Sequence, residues 1–341
     1  MSRNYLITGG AGFIGSNYVH RLLQRGEQVT VYDNLSRLGA LRNLAWLEES
    51  FGKEAFRLEV GDVRDAERLA NAAREADVIA HLAAQVAVTT SVVRPRQDFE
   101  INALGTFNVL EAARLNERKP IVLYASTNKV YGGMENVQVV EEATRWRYAD
   151  LLLGCPETQP LDLHSPYGCS KGSGDQYVHD YARIYDLPTV VLRQSCIYGP
   201  RQFGVEDQGW VAWMIIAAVT GRQITIYGDG KQIRDVLYVD DLLDAYDAAV
   251  EKIDRVKGRV YNLGGGPQNT LSIWTEFGPR LEKLLGSKIP VARSDWRPGD
   301  QKVFVADIRK AGAELGWAPK VGVEAGMERL FEWVKKNKQL F

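Results

Sequence analysis

Tyr167 and Lys171 stand four residues apart, just behind Ser165 and Pro166. Ser165 is a good N-cap and Pro166 a good first helical residue, so a helix is expected from there to about Tyr185, with the phenol and the amine on one face. A phenol with a pKa near ~10 is a poor base at neutral pH. A neighbouring ammonium and a helix N-terminus both push that value down, which would make Tyr167 a general base tuned by Lys171. Taken alone the spacing is common, and a surface Tyr and Lys would share it. Upstream, Ser126 and Thr127 end the apolar run Ile121 to Ala125. That is the carboxyl edge where open α/β sheets bind ligands, and a hydroxyl there can hold a substrate alcohol against the phenolate. By itself, a Ser-Thr pair at a strand end is usually a turn.

A glycine turn gives these groups a context. Tyr5 to Thr8 runs into Gly9, Gly12 and Gly15, and a helical pattern follows to Arg25, stopped by Gly26. The first glycine allows a tight turn, the second lets backbone approach a pyrophosphate, and the third lets the helix pack on the strand. Asp33 closes the second strand, where a carboxylate can accept both ribose hydroxyls of an adenosine and repel a 2'-phosphate. NAD is therefore favoured as cofactor, and Arg37 nearby leaves NADP open. An oxidised nicotinamide would push the Tyr167 phenol down further. No GxxxxGK[ST] is present, which excludes a nucleoside-triphosphate loop. Asp62, just past the third strand, reads either as a turn or cap residue or as an adenine contact.

The elements that must position these residues follow from short apolar runs, Tyr5 to Thr8, Val29 to Tyr32, Phe56 to Val60, Val78 to Leu82, Ile121 to Ser126 and Thr189 to Arg193, separated by helical stretches. Such alternation predicts an α/β fold with a doubly wound parallel Rossmann sheet. From about residue 195 Gly and Pro clusters (Gly199-Pro200, Gly228 to Gly230, Gly264 to Pro267, Pro298-Gly299) loosen the rhythm. The expected division is a NAD-binding domain over 1–195 and a smaller C-terminal substrate-binding domain over 196–341, with a strand and helix near 235–265 returning to the first. Between Tyr131 and Tyr167 the pattern is irregular, a length that in a compact domain is functional or disordered.

Lys plus Arg number 42 against 43 Asp plus Glu, a net charge of -1, so no long-range field attracts nucleic acid or an acidic membrane. The three cysteines form no CxxC and the four histidines are scattered, which argues for a reducing compartment and against any metal site. No charged-then-apolar leader opens the chain, and no apolar stretch reaches the ~18 residues of a membrane span. A cytoplasmic protein is expected.

With GxxGxxG, Asp33, Thr127 and YxxxK in this order, the chain resembles the extended short-chain dehydrogenase/reductases that modify nucleotide sugars. The likeness covers nearly the whole chain. Sugar 4,6-dehydratases of that family carry an Asp-Glu pair after the strand-end hydroxyl, whereas this chain has Asn128-Lys129. The strings Asp98 to Asn102, Ser126 to Gly132, His164 to Gly172, Asp207 to Trp210 and Asp300 to Ile308 are similar to those of the CDP-sugar 2-epimerases. The resemblance implies that Phe13, Ile14, Asn34, Ser36, Arg37, Val63, Leu82, Ala83, Ala84, Gln85, Asn102 and Ser126 line the NAD site with the glycines. It further implies that Arg234 and Arg297 hold a substrate diphosphate, and that Arg201, Gln202, Gln208, Tyr227 and Asp300 contact the substrate. Two guanidiniums suit pyrophosphate oxygens, although a single Arg is more often a solvated surface charge. Many relatives have Asn where this chain has Cys196, so that diphosphate contact is not carried over.

The implied reaction is NAD-dependent epimerisation at C2 of a nucleotide sugar through a transient 2-ketosugar. Tyr167 would be the base, Thr127 would orient the hydroxyl, Lys171 would fix the nicotinamide ribose, and Asn128 would steer the sugar. The alternatives are a UDP-hexose 4-epimerase and a dinucleotide-binding sensor without catalysis. Helices over Asn102–Leu115 and Pro166–Tyr185 are where this family dimerises, so a homodimer or homotetramer is expected.

Overall fold

The computed structural model describes residues 2–297 and 300–341, so the Pro298-Gly299 pair lies outside the described residues. Seven strands form the main sheet: β1 (Asn4–Thr8), β2 (Gln28–Asp33), β3 (Arg57–Val60), β4 (Val78–His81), β5 (Ile121–Thr127), β6 (Thr189–Gln194) and β7 (Arg259–Leu263). Their order is β7-β6-β5-β4-β1-β2-β3. The β1–β2, β1–β4, β2–β3 and β4–β5 pairs run parallel, with Thr8 level with Tyr32 on one side and His81 on the other. The strand order reverses direction beside β1, which places the glycine turn at the switch point of a doubly wound sheet. Continuous burial of β1, β4 and β6 accounts for their unbroken apolar sequences, because helices cover both faces.

The helices that matter are α1 (Phe13–Gln24), α2 (Ala40–Phe51), α3 (Ala66–Ala73), α4 (Val88–Val93), α5 (Pro95–Phe99), α6 (Gly105–Leu115) and α7 (Ser165–Tyr185). Leu6, Tyr32, Ile79, Val122, Tyr124 and Val191 from the strands pack with Leu69, Val109, Leu110 and Val178 from α3, α6 and α7. Each such buried side chain contributes about 1.5 to 3 kcal/mol. The helix expected from Asn102 starts earlier, at Pro95, and passes through a π turn at Glu100–Leu104. There the Thr106 hydroxyl donates to the Asn102 carbonyl at 2.5 Å.

The chain forms two compact units. The first comprises the chain up to Val130, Ser165–Arg193 and Leu243–Tyr261. Its returning segment is pinned to α1, where Arg21 bonds Asp244 at 2.8 Å and Asp247 at 3.0 Å and the Tyr18 and Tyr246 rings meet edge-on at 5.5 Å. The second comprises Tyr131–His164, Gln194–Leu242 and Asn262–Phe341. The irregular stretch contains a short antiparallel ladder, Val139–Glu141 with Trp146–Tyr148. Elsewhere in that unit Ile233–Asp235 lies between Thr270–Ser272 and Val303–Phe304. The buried Asp235 carboxylate fastens these loops, accepting from Ser195 Oγ at 2.6 Å and from the Gly266 and Ala306 amides at 3.2 Å. Among the described residues no helix is long and apolar enough to cross a membrane.

Candidate active site

The strand end and the helix start bring Thr127, Tyr167 and Lys171 together in the first unit. Ser165 takes φ 67, and its hydroxyl accepts from the Gly168 amide at 3.2 Å, which is the capping contact its sequence position called for. The Thr127 side chain lies close enough to Tyr167 to favour its phenolate. Thr127 Oγ1 also accepts from the Lys129 amide at 3.2 Å and lies 3.4 Å from Asn128 Oδ1. Lys171 Nζ donates to the Ala125 carbonyl at 2.7 Å and sits 4.2 Å from the centre of the Tyr124 ring.

The electrostatics differ from the expectation for Tyr167. Burial pushes its phenol up to about 12, the Thr127 side chain counteracts this, and Asp98 adds to it. Burial also pushes Lys171 down to about 7, against the pull of Asp175 and Asp98. Among the protein's own groups desolvation therefore outweighs the ammonium, which is turned toward a backbone carbonyl.

Beneath the turn lie buried polar residues whose roles the sequence did not mark. Asp175 accepts from Ser126 Oγ at 2.6 Å and from Arg193 Nε and Nη2 at 2.9 Å, a forked pair with both partners buried. Asp98 accepts from Ser170 Oγ at 2.5 Å, Gln85 Nε2 at 2.9 Å and Asn102 Nδ2 at 3.1 Å. Ser91 Oγ accepts the Tyr167 amide at 3.1 Å while donating to Val88. His81 lies between Thr8 Oγ1 at 2.7 Å and Thr106 Oγ1 at 3.0 Å. Since Thr106 spends its proton on Asn102, it accepts from His81 Nε2–H, leaving Nδ1 to accept from Thr8. Burial, and to a lesser degree Lys171, pushes this imidazole down to about 3. Only the i, i+4 spacing of Lys171 and Asp175 could have signalled any of these.

The glycine turn is a cradle that only glycine fits. Gly9 has φ 72, and a Cβ there would stand 2.7 Å from the Ala83 nitrogen. A Cβ on Gly15 would stand 2.7 Å from the Gly10 Cα. Gly12 caps α1 without a side chain, so the first-turn amides, including those of Phe13 and Ile14, remain donors for an anion. Asp33 is buried at the end of β2, with Oδ2 accepting the Ala11 amide at 3.0 Å and Oδ1 the Leu35 amide at 2.8 Å. Burial raises its pKa, with Arg37 among the groups opposing the rise. Asn34 donates to Asp62 at 2.9 Å and accepts from Ser36 Oγ at 2.7 Å. Asp62 accepts the Arg64 amide at 3.0 Å, and Arg64 also holds its carboxyl well below the usual range. Val63 is buried under Gly105. Loop 82–85 is seated by Thr8, whose carbonyl takes the Leu82 amide at 3.0 Å, and by Asn102, whose Oδ1 takes the Gln85 amide at 2.9 Å. Ala83 and Ala84 lie between those anchors. Glycine cradle, uncapped helix donors and a buried strand-end carboxylate together fit a dinucleotide.

In the second unit Arg234 is buried, donating to Asp300 at 2.7 Å and to the Gln301 carbonyl at 2.7 Å. Arg297 lies 3.8 Å from the centre of the Tyr227 ring and 3.2 Å from Asp207, while Tyr227 donates to Glu206 at 3.1 Å. Arg201 lies over the Trp333 ring, and Gln202 is buried beside Gly209. The backbone of Gln208 exchanges two hydrogen bonds with Val205. Cys196, at the divergent position, has φ 39, and its carbonyl takes the Leu237 amide at 3.2 Å. Among the described residues no cluster of His, Cys, Asp and Glu could hold a metal.

CDP-paratose 2-epimerase from Salmonella typhi is 44% identical over 336 residues, spanning 96% of this chain and 98% of that one. A family model described as GDP-mannose 4,6 dehydratase matches residues 6–330. This chain belongs to that family, the extended short-chain dehydrogenase/reductases. Within these reductases, dTDP-glucose 4,6-dehydratase from Escherichia coli is 32% identical, over 98% of this chain and 94% of its own. The solved UDP-glucose 4-epimerase from Thermus thermophilus, in complex with NAD, superposes with a TM-score of 0.81 at 32% identity, covering 98% of this chain and 99% of that one. The Rossmann-type sheet expected of an extended reductase is thus matched both in sequence and in three dimensions.

Proposed function

We propose that this protein is an NAD-dependent nucleotide-sugar 2-epimerase that interconverts CDP-paratose and CDP-tyvelose. The observation that carries the reading is the buried trio Thr127, Tyr167 and Lys171 at the end of β5 and the start of α7, followed by Asn128-Lys129 where the dehydratases of the family carry an acidic pair. The likeness to a CDP-paratose 2-epimerase supports the choice of carbon and base.

Bound NAD would supply a hydride acceptor and donor for C2 and, when oxidised, a positive charge beside the phenol. Tyr167 Oη takes the proton of the C2 hydroxyl and later returns it to the inverted alcohol. Thr127 Oγ1 holds that hydroxyl in line, and Asn128 steers the ring as a 2-ketosugar forms and turns. Lys171 fixes the nicotinamide ribose. The glycine turn and the α1 N-terminus take the cofactor diphosphate, and Asp33 takes the adenosine ribose. In the second unit Arg234 and Arg297 take the substrate diphosphate, their partners Asp300 and Asp207 fixing each guanidinium in place. Arg201, Gln202, Gln208 and Tyr227 contact the nucleotide.

The reading includes a cytoplasmic homodimer or homotetramer. All three cysteines are without disulfides. Leu104, Phe107, Leu115, Tyr177, Ile184 and Tyr185 of the π turn, α6 and α7 leave apolar surface exposed for a partner copy, which light scattering would register.

Product analysis by NMR over a panel of CDP-, GDP- and UDP-sugars tests the function. CDP-paratose and CDP-tyvelose should be the best pair, with GDP-glucose to GDP-mannose slower, because losing one base contact costs only ~1 to 3 kcal/mol. Deuterium at C2 should slow turnover and remain in the product. A C4 epimer would favour a UDP-hexose 4-epimerase, label lost to solvent would mean deprotonation beside a carbonyl, and tight NAD binding without any turnover would leave a sensor.

A further inference from the structure

One buried carboxylate ties the catalytic helix to two other segments of the first unit. Asp98, on α5, is fully buried and has three donors: Ser170 Oγ at 2.5 Å from α7, Gln85 Nε2 at 2.9 Å from the loop after β4, and Asn102 Nδ2 at 3.1 Å from the π turn. Ser170 lies next to Lys171 in the chain, and its Oγ is 3.2 Å from the Tyr167 carbonyl, so it belongs to the same helical turn as both. Gln85 is itself fixed from both sides, since its amide and carbonyl pair with the Asn102 side chain and its own side chain pairs with Ala87. Movement of loop 85–87 therefore reaches Ser170 through Asp98, and movement of the π turn reaches it both through Asp98 and directly, since Asn102 Nδ2 donates to Ser170 Oγ at 3.2 Å.

The charges around Lys171 separate its two acidic neighbours. Asp175, one turn along α7, is matched by the forked Arg193 guanidinium from β6 and by Ser126 from β5. The donors to Asp98 are all uncharged, and Lys171 is the cation whose field acts on it. The other groups facing Lys171 are Tyr167 on its own helix, the Tyr124 ring and the Ala125 carbonyl from β5, and His81 from β4, whose imidazole stays neutral.

We propose that Asp98 is a positioning residue for the Tyr167–Lys171 turn, pinning Ser170 to loop 85–87 and to the π turn while adding its negative charge to that of Asp175 around Lys171. A carboxylate suits both duties. Its two oxygens accept all three donors, and its charge makes those hydrogen bonds short and strong. An amide at the same place could accept only at one oxygen. The same negative charge also opposes ionisation of the nearby Tyr167 phenol, so Asp98 raises the proton affinity of acid and base partners together.

The proposal rests on Tyr167 being the base, which the activity of Tyr167→Phe tests separately. The experiment compares Asp98→Asn and Ser170→Ala with the unaltered enzyme by kcat, KM, pH profile, thermal unfolding and amide hydrogen exchange. In Asp98→Asn kcat should fall about tenfold or more with KM within about twofold, and both limbs of the pH profile of kcat should move to lower pH by about one unit. Loss of a purely structural bond lowers the unfolding temperature and kcat but leaves both limbs where they were, and that outcome overturns the proposal. Should Asp98→Asn fail to fold, Ser170→Ala keeps it testable, because Gln85 and Asn102 still satisfy the buried charge. In that variant amide exchange from Tyr167 to Ser170 should quicken and kcat should fall several-fold at unchanged KM, while unaltered exchange and kcat overturn the pinning role.

Discussion

Around the Tyr167–Lys171 turn the buried side chains Asp98, Asn102, Ser126, Ser170, Lys171, Asp175 and Arg193 all have hydrogen-bond partners inside the protein. The second unit is built otherwise. Among the described residues, Gln202, Gln232 and Gln301 each leave Oε1 buried without a hydrogen-bond partner, as do Trp210 at Nε1 and Tyr198 at its hydroxyl; away from the turn the first unit has such atoms too, on Tyr18 and His179. An unmet buried group of this kind costs about 1 to 3 kcal/mol, so those in the second unit stand to gain when polar atoms arrive. The contrast separates two tasks. The Tyr167–Lys171 turn fixes charges before anything binds, as a proton-transfer site requires, and the second unit keeps hydrogen-bonding capacity in reserve, as recognition of a polar ligand requires.

Four substitutions probe that contrast, beginning with the strongest. Tyr167→Phe should lower kcat by 10² to 10⁴, about 3 to 5 kcal/mol of barrier, with the unfolding temperature unchanged; near-normal turnover would remove the fixed turn from the chemistry. Next, Arg193→Met should destabilise the first unit by about 3 to 5 kcal/mol in denaturant titration, because Asp175 is left buried without its cation. Adding Asp175→Leu should recover much of the loss. If the single change is nearly neutral, the first unit is less tightly determined than its hydrogen bonds imply.

The third concerns pH. His81 is held neutral in the fold down to about 3. Between about pH 6.5 and that value the unfolded chain binds a proton that the folded chain does not, so stability falls as pH falls, by up to ~1.4 kcal/mol per unit from this one group. His81→Gln should flatten that slope in unfolding free energy measured against pH, and an unchanged slope would show that the imidazole titrates in the folded state. The smallest effect on stability is expected in the second unit. Gln232→Leu exchanges one hydrogen bond, to the Tyr227 carbonyl at 2.7 Å, for the removal of an unmet acceptor. It should change unfolding free energy by about 1 kcal/mol or less while raising the KM for the nucleotide sugar several-fold. A large loss of stability with KM unchanged would make the reserve structural instead.

The sequence revealed what depends on local spacing. Gly9 and Gly15 mark a turn because each sits where a Cβ would strike backbone, and Ser165-Pro166 marks a helix start because capping needs only neighbours. The resemblance of strings added Asn102 and the loop 82–85. What stayed hidden depends on burial. Asp98, Asp175, Arg193 and His81 look like ordinary surface-type residues until the fold removes water from them. For the same reason the direction of the Tyr167 shift could not be read from Lys171 alone, since desolvation of the phenol is a property of the packed site. The π turn escaped because helical periodicity does not record which carbonyl each backbone donor takes, here the Gly105 amide bonding the Glu100 carbonyl.

The return of Leu243–Tyr261 to the first unit bears on how the protein is made. Strand β7, at the sheet edge beside β6, begins at Arg259, whereas β6 ends at Gln194. At ~5 to 20 residues per second a ribosome needs roughly 3 to 13 s to add the intervening chain. Throughout that interval β6 presents an open edge, and Tyr18 and Arg21 lack Tyr246, Asp244 and Asp247. A nascent chain stalled in this window, or a fragment cut after residue 195, should therefore be a chaperone client and prone to pair edge to edge, whereas one released after residue 263 should not.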